Sequence, residues 1–335
     1  MGGSMPLMKR PMAMIVLLSV LTIAAVIVCP MIGIRWISPL CIMHDSDLRF
    51  IFLNIRIPRT LVSLFVGGGL AVAGMIYQAI FRNPLADPYT LGVSSGASLG
   101  AAVCIVAGVG GTAFGMSAVT FGALVGAVVS TLIIYVFAWS REGNSSTLLL
   151  AGVVVATVCS GFIMFIHFVG GLHKSFQLLR WLMGGVDGVS YSMFFFLVVP
   201  LTAFFIIIGL FMPQLDQFLT GDNIAHSRGV NIRVSRNMFI IVTALAVGSI
   251  VAVCGPIGFI GVIAPHACRM LVPGIRHRLL SVCSFLLGGS FLVVADTLAR
   301  SIAPPSEIPV GIITAMLGGP FFLIVLFRKK SRLLM

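Results

Sequence analysis

The 335 residues are 59% hydrophobic and only 9% charged, with a mean hydropathy of +1.14. A water-soluble domain of that make-up would lack polar surface, so the solvent is lipid. The net charge of +12 is spread over 21 lysines and arginines with no basic stripe interleaved with exposed aromatics, which argues against a nucleic-acid partner.

Along the chain, uncharged runs long enough for a helix of about 20 residues recur. They are continuous rather than alternating, which rejects a β-barrel and predicts an all-α integral membrane protein of about ten transmembrane helices, one domain over residues 1–335. The crossings are expected near 11–34, 60–81, 88–107, 116–139, 147–168, 189–211, 237–254, 257–271, 279–300 and 308–327. Two divisions rest on punctuation, the Gly108, Gly110, Gly111 cluster and the Gly255-Pro256 step. The eighth helix is therefore short and belongs inside the bundle, where neighbours can serve its freed backbone groups.

Lys9 and Arg10 before the first apolar run look like a secretory signal, but no small-residue cleavage site follows, so the helix is expected to be retained. An even number of spans puts both termini on one side. With that side cytoplasmic, 14 of the 21 basic residues face inward, as the bias of cytoplasmic loops requires. The cysteines at 29, 41, 104, 159, 254, 268 and 283 show no C-x-x-C spacing and are expected to pack as small apolar residues.

The polar segments between spans carry more information. Arg56-Ile57-Pro58-Arg59 opens the second span at its external end; its arginines, three apart, either face an acidic partner or snorkel to the interface. Gly67-Gly68-Gly69 lacks the lysine and hydroxyl of a phosphate loop and is expected to let helices approach. Asp296 and Arg300, four apart, are expected to pair with each other, and His266 has no second ligand at metal-binding spacing. The longest cytoplasmic connection, residues 213–236, can hold two short helices joined at Gly221 and ended at Gly229, the second capped by Asp222 or Thr220.

Several long motifs stand in order: R-x-P-R-T-L from Arg56, Q-x-x-x-R-N-P-L-A-D-P-x-x-L-G-V-S-S-G-A from Gln78, G-P-I-G-F-I-G-x-I-x-P-H-x-x-R from Gly255, and A-D-x-x-A-R from Ala295, followed by Glu307-Ile308-Pro309-Val310-Gly311. From about Arg56 to Phe327 the chain is similar to the FecCD or BtuC-like permeases, which import ferric siderophores, haem and vitamin B12. The resemblance implies the BtuC-like, type II fold of an ABC importer. It implies a subunit that dimerises around a central pathway, two cytoplasmic ATPase subunits that bind ATP and Mg, and a periplasmic or lipid-anchored substrate-binding protein. The chain itself is then no enzyme, needs no cofactor, and lies in a bacterial or archaeal cytoplasmic membrane with both termini inside.

The resemblance also implies roles for particular residues. Arg56, Arg59 and Arg300 match outer-surface arginines that dock the binding protein. Thr220, Gly221, Asp222, Ala225, Arg228 and Gly229 match the segment that couples to the ATPase. Asn83 and Leu85 match a cytoplasmic gate, together with Ser145 and Ser146, around which the pattern is looser. Spans two to five and seven to ten are implied to be inverted halves, and Ala71-Val72-Ala73-Gly74 does echo Ala252-Val253-Cys254-Gly255.

Among substrates an iron chelate is favoured as the commonest in that family, and an identical dimer partner over a paralogue. Two other classes fit less well. An ion-coupled secondary transporter would need ionisable or ion-ligating groups near the midplane, and no mid-span carboxylate is present. An intramembrane enzyme would need a nucleophile with its base or a motif such as H-E-x-x-H, and neither occurs.

Overall fold

A computed structural model describes residues 9–33, 36–38, 44–113, 116–140, 145–218, 231–303 and 306–331. The helices, in chain order, are α1 Lys9–Val28, α2 Ser46–Ile51, α3 Ile57–Ile80, α4 Val93–Ala107, α5 Ala118–Ser140, α6 Ser145–Val169, α7 Gly171–Leu182, α8 Tyr191–Phe218, α9 Ile232–Cys254, α10 Ile260–Leu271, α11 His277–Ile302 and α12 Val310–Ser331. Between α4 and α5 a ribbon of two two-residue strands, β1 Thr112–Ala113 and β2 Met116–Ser117, pairs antiparallel. Among the described residues, seven helical stretches are long and apolar enough to cross a membrane, and α4, α10 and the described part of α12 are shorter apolar helices. Every expected crossing has its helix.

The elements differ from the sequence reading in four places. The second span begins early: Asp45 caps α2 by accepting the N–H groups of Asp47 and Leu48, and α2 continues through a π-helical turn, Phe52–Arg56, into α3. The third span starts at Val93 rather than near Pro88, because residues 81–92 fold as successive turns ending at Gly92, whose φ of 71° is left-handed. An unexpected amphipathic helix, α7, occupies residues read as an external connector; its Lys174 donates to the Val106 carbonyl at 2.7 Å, where α4 leaves its last carbonyls unpaired. Finally, the connection expected on the cytoplasmic side, 213–236, is shorter than expected, since α8 runs on through Pro213 to Phe218 and α9 starts at Ile232 behind an Asn231 cap.

α3 is the hub. In the stretch Ser46–Ile80, 83% of the residues in the most apolar window are buried, against 11% in the corresponding window of Thr147–Val169, so α6 is largely peripheral. α3 packs most extensively on α11, and Gly67 makes this possible: a Cβ there would collide with the Gly288 carbonyl oxygen and with Leu292. α4 and α5 are held as closely by two facing G-x-x-x-G pairs, Gly96 and Gly100 against Gly126 and Gly122. In lipid no hydrophobic force drives helices together, so such close backbone approach supplies the dispersion contact that does.

Three chain breaks meet inside the bundle. The Gly185 N–H donates to the Cys254 carbonyl at 2.8 Å, and that of Gly311 to the Gly184 carbonyl at 3.1 Å. Tyr89 serves the other side of the Gly255-Pro256 break: its hydroxyl donates to the Ile257 carbonyl at 2.8 Å and accepts the Ile257 N–H at 2.9 Å. These bonds pair backbone groups that the breaks set loose, which is what irregular backbone at this depth requires.

Candidate functional site

At one end of the bundle the chain gathers its basic residues around two acids. Arg59 donates through Nε and Nη2 to the Asp296 carboxylate at 2.8–3.0 Å and through Nη1 to Glu307 Oε2 at 2.7 Å. Arg300 donates to the Cys29 carbonyl and, at 3.1 Å, to Thr297 Oγ1. Arg56 donates to the carbonyls of Pro30 and Met31 at 2.9 and 3.1 Å.

The structure thus brings the three expected docking arginines to one end, with a correction. Arg59 and Arg300 are 7% and 5% exposed, so neither presents its guanidinium to a partner nor snorkels; only Arg56 is half-exposed. Arg59 also displaces Arg300 as the partner of Asp296. A guanidinium across the helix interface meets the carboxylate as a two-pronged fork, a better fit than Arg300 reaches along its own helix. The sequence signal for this pair was the pairing of R-x-P-R-T-L with A-D-x-x-A-R, read separately rather than together.

The opposite end carries Asn83 and Leu85, two of the residues expected to form a gate. Asn83 Oδ1 accepts the Leu85 N–H at 3.0 Å, and the Asn83 carbonyl accepts that of Ala86 at 3.1 Å, a tight turn that leaves Leu85 46% exposed at its tip. Beside it Arg82, itself left-handed at φ 48°, donates to the Phe218 carbonyl at 3.0 Å and so ties this turn to the end of α8. Asp87 is drawn inward, accepting the Tyr89 N–H at 3.2 Å, and burial pushes its carboxyl up to about 6. Ser145 and Ser146 begin α6, but their side chains lie outside the described residues, as do Thr220, Gly221, Asp222, Ala225, Arg228 and Gly229. The helix ends on either side of that segment are held by side chains. At its start Asp216, near the end of α8, accepts the backbone N–H of His277 at 3.2 Å and meets His277 Nδ1 at 2.6 Å. At its end Asn231 accepts the Val234 N–H at 3.2 Å.

Between the two ends lies an open cavity of about 660 Å³, whose wall residues Met164 and Phe168 are 72% and 87% exposed on the single chain. Ser94, Ser95 and Ser98 of α4, Ser160 and His167 of α6, Leu179 and Leu182 of α7 and Pro256 of the broken segment line it. It touches the point where α9 is interrupted, so irregular backbone and open space coincide, the arrangement by which membrane proteins build pathways.

The FecCD transport family model matches residues 18–328. The hemin transport system permease protein HmuU of Yersinia pestis is 37% identical over 287 residues, 84% of each chain. The Fe(3+)-citrate import system permease protein YfmE of Bacillus subtilis is 35% identical, covering 95% of this chain and 96% of that one; the vitamin B12 import system permease protein BtuC of Salmonella typhi is also 35% identical, over 96% and 97%. A solved metal-chelate type ABC transporter in an inward-facing conformation superposes with a TM-score of 0.85 at 28% identity, covering 94% of this chain and 98% of that chain.

Proposed function

Since the chain belongs to the FecCD transport family and is a multi-pass membrane permease of the BtuC-like fold, we propose that it forms, with a second copy of itself, the pathway of a binding-protein-dependent importer in a bacterial or archaeal cytoplasmic membrane. Its cargo is a metal chelate, a ferric siderophore or haem ahead of cobalamin, and ATP is hydrolysed on two separate cytoplasmic subunits. The observation that carries this reading is the cavity bordered by broken helices between a braced end and a looser one.

In this scheme the Arg59–Asp296–Glu307 cluster is the rigid outer frame. It sets the position of Arg56, the docking arginine that remains accessible to an acidic lobe of a binding protein. Such an exposed pair adds little affinity but steers association and orientation. At the inner end, the exposed Leu85 is placed to meet its counterpart on the second copy, and residues 219–230 sit against the ATPase. Asp216 and His277 hold the base of that segment, so a push on it reaches α8 and α11 together. Both termini lie on the cytoplasmic side.

The test is reconstitution in proteoliposomes with the matched ATPase and binding protein. The chain is expected to hold the ATPase at equal stoichiometry and to raise its hydrolysis when the loaded binding protein is added. Charge reversal at Arg56 should weaken docking more at low than at high salt. A chain that moves substrate on an ion gradient without ATP would overturn the proposal.

A further inference from the structure

We propose that the groove between α8 and α11 holds one acyl chain of a phosphatidylethanolamine, whose phosphate pairs with Arg278 and whose ammonium pairs with Asp216. The groove shares no lining residue with the cavity beside α4 and α6, so the site does not depend on which cargo crosses the membrane.

The groove is open along one side and measures about 350 Å³. Buried Val72 of α3 is its floor, and Phe205, Gly209 and Met212 of α8 face Val282 and Phe285 of α11 across it. At its deep end Phe205 and Phe285 meet edge to face, with ring centroids 5.3 Å apart, and close it. Beside Gly209 there is open space, since a Cβ added there would meet no atom within 4 Å. One turn of helix, about 10–12 Å across and 5.4 Å high, fills more than about 400 Å³, so the groove is too slight for a helix and suits a single hydrocarbon chain. An apolar space open to a bilayer fills with hydrocarbon, because a void forfeits the dispersion contacts of its lining.

The other end carries one charge of each sign. Arg278 precedes Val282 by four residues and Phe285 by seven, so it stands on the groove's face of α11, and a helical side chain leans toward the N-terminus, past the end of the groove. It is exposed, and its guanidinium has no hydrogen bond or ion pair among the described residues. A cation in the first turn opposes the helix dipole, and the Arg276 side chain does not cap α11, so this helix end gains from an anion. On α8, Asp216 follows Met212 by four residues and Gly209 by seven. Its Oδ1 takes both contacts to His277, whereas its Oδ2 has no partner among the described residues, and the side chain is 40% exposed. The 26 residues of α11 span about 39 Å against a hydrocarbon core of about 30 Å, which puts its first turn at headgroup depth. A zwitterionic headgroup matches this pair of charges. A primary ammonium can donate to Oδ2, which the quaternary ammonium of phosphatidylcholine cannot, and phosphatidylglycerol brings no cation.

Native mass spectrometry of the full chain, released from mixtures of phosphatidylethanolamine, phosphatidylcholine and phosphatidylglycerol with matched acyl chains, tests this. The wild type should retain one phosphatidylethanolamine per chain, bound about fivefold more tightly than phosphatidylcholine. Gly209→Leu fills the groove with a better helix former, so it should abolish retention while leaving thermal stability equal or higher. Arg278→Gln should weaken phosphatidylethanolamine and phosphatidylcholine alike, by about fivefold. Asp216→Asn, which still accepts the His277 N–H, should make those two lipids equal. No lipid retained by the wild type, equal binding of the two, a preference for phosphatidylglycerol, or retention unchanged in Gly209→Leu overturns the proposal. So does a lipid-free dimer that Gly209→Leu splits, since a second copy would then cover the groove. Arg278→Gln and Asp216→Asn alter positions outside the buried core, so they decide the question even where Gly209→Leu does not fold.

Discussion

At the end proposed to face outward, Arg59, Asp296 and Arg300 are withdrawn from solvent, and one guanidinium makes four hydrogen bonds to two carboxylates carried by α11 and the stretch after it. At the opposite end, proposed to face inward, Arg82, Asp216 and Asn83 stay partly exposed and bond to turns and helix ends. A buried, multiply bonded ion pair has one good geometry, whereas half-exposed single bonds can be exchanged for water at little cost. The contrast teaches where this bundle can move: the end framed by Arg59 and Asp296 keeps its shape while the turns at the opposite end are free to rearrange.

The sharpest way to break the contrast is Asp296→Ala, which strands a buried guanidinium on Glu307 alone. It should lower stability by about 3–5 kcal/mol, read as denaturant unfolding in micelles. The double change Arg59→Met with Asp296→Leu should recover to within about 1 kcal/mol of wild type, since it removes both charges together. If the single change is silent, the outer end is no more rigid than the inner one.

A smaller effect is expected at the inner end. His277→Ala removes a side-chain bond to Asp216 but leaves the carboxylate half-exposed and still able to accept the backbone N–H. A loss of about 1 kcal/mol is expected in the same assay, together with a larger loss of ATPase coupling.

Asp87 gives the gentlest probe, through pH. Its carboxyl ordinarily titrates at 3.8 and is raised to about 6 in the folded chain, so the folded state holds the proton more tightly. The stabilisation from this group is complete below about 3.8 and is lost as pH rises through about 6. Asp87→Asn should flatten the thermal-stability profile across that window, and a slope unchanged by the substitution would show that the turn is already solvated.

Much of the architecture was legible in the residues. Lipid solvent, the ten crossings and the interruption at Gly255-Pro256 follow from uncharged length and from punctuation, both local properties. The close α4–α5 crossing was written as Gly96, Gly100, Gly122 and Gly126, a G-x-x-x-G spacing on each helix that the reading passed over. α7 escaped because Lys174 and Arg180 look like an external loop when charge alone is counted. In the structure one caps α4 and the other pairs with Asp187 at 3.1 Å, while the apolar face carries the helix.

What composition and spacing determined by themselves was the class of solvent, the ten apolar helices and their punctuation, because each depends on residues next to one another in the chain. The partner of Asp296, 237 positions from Arg59, and the assembly of α4, α6, α7 and the α9 break around one cavity were decided only by packing. Helix periodicity tells which residues share a face, but which two faces meet is set by the fit of every other helix at once.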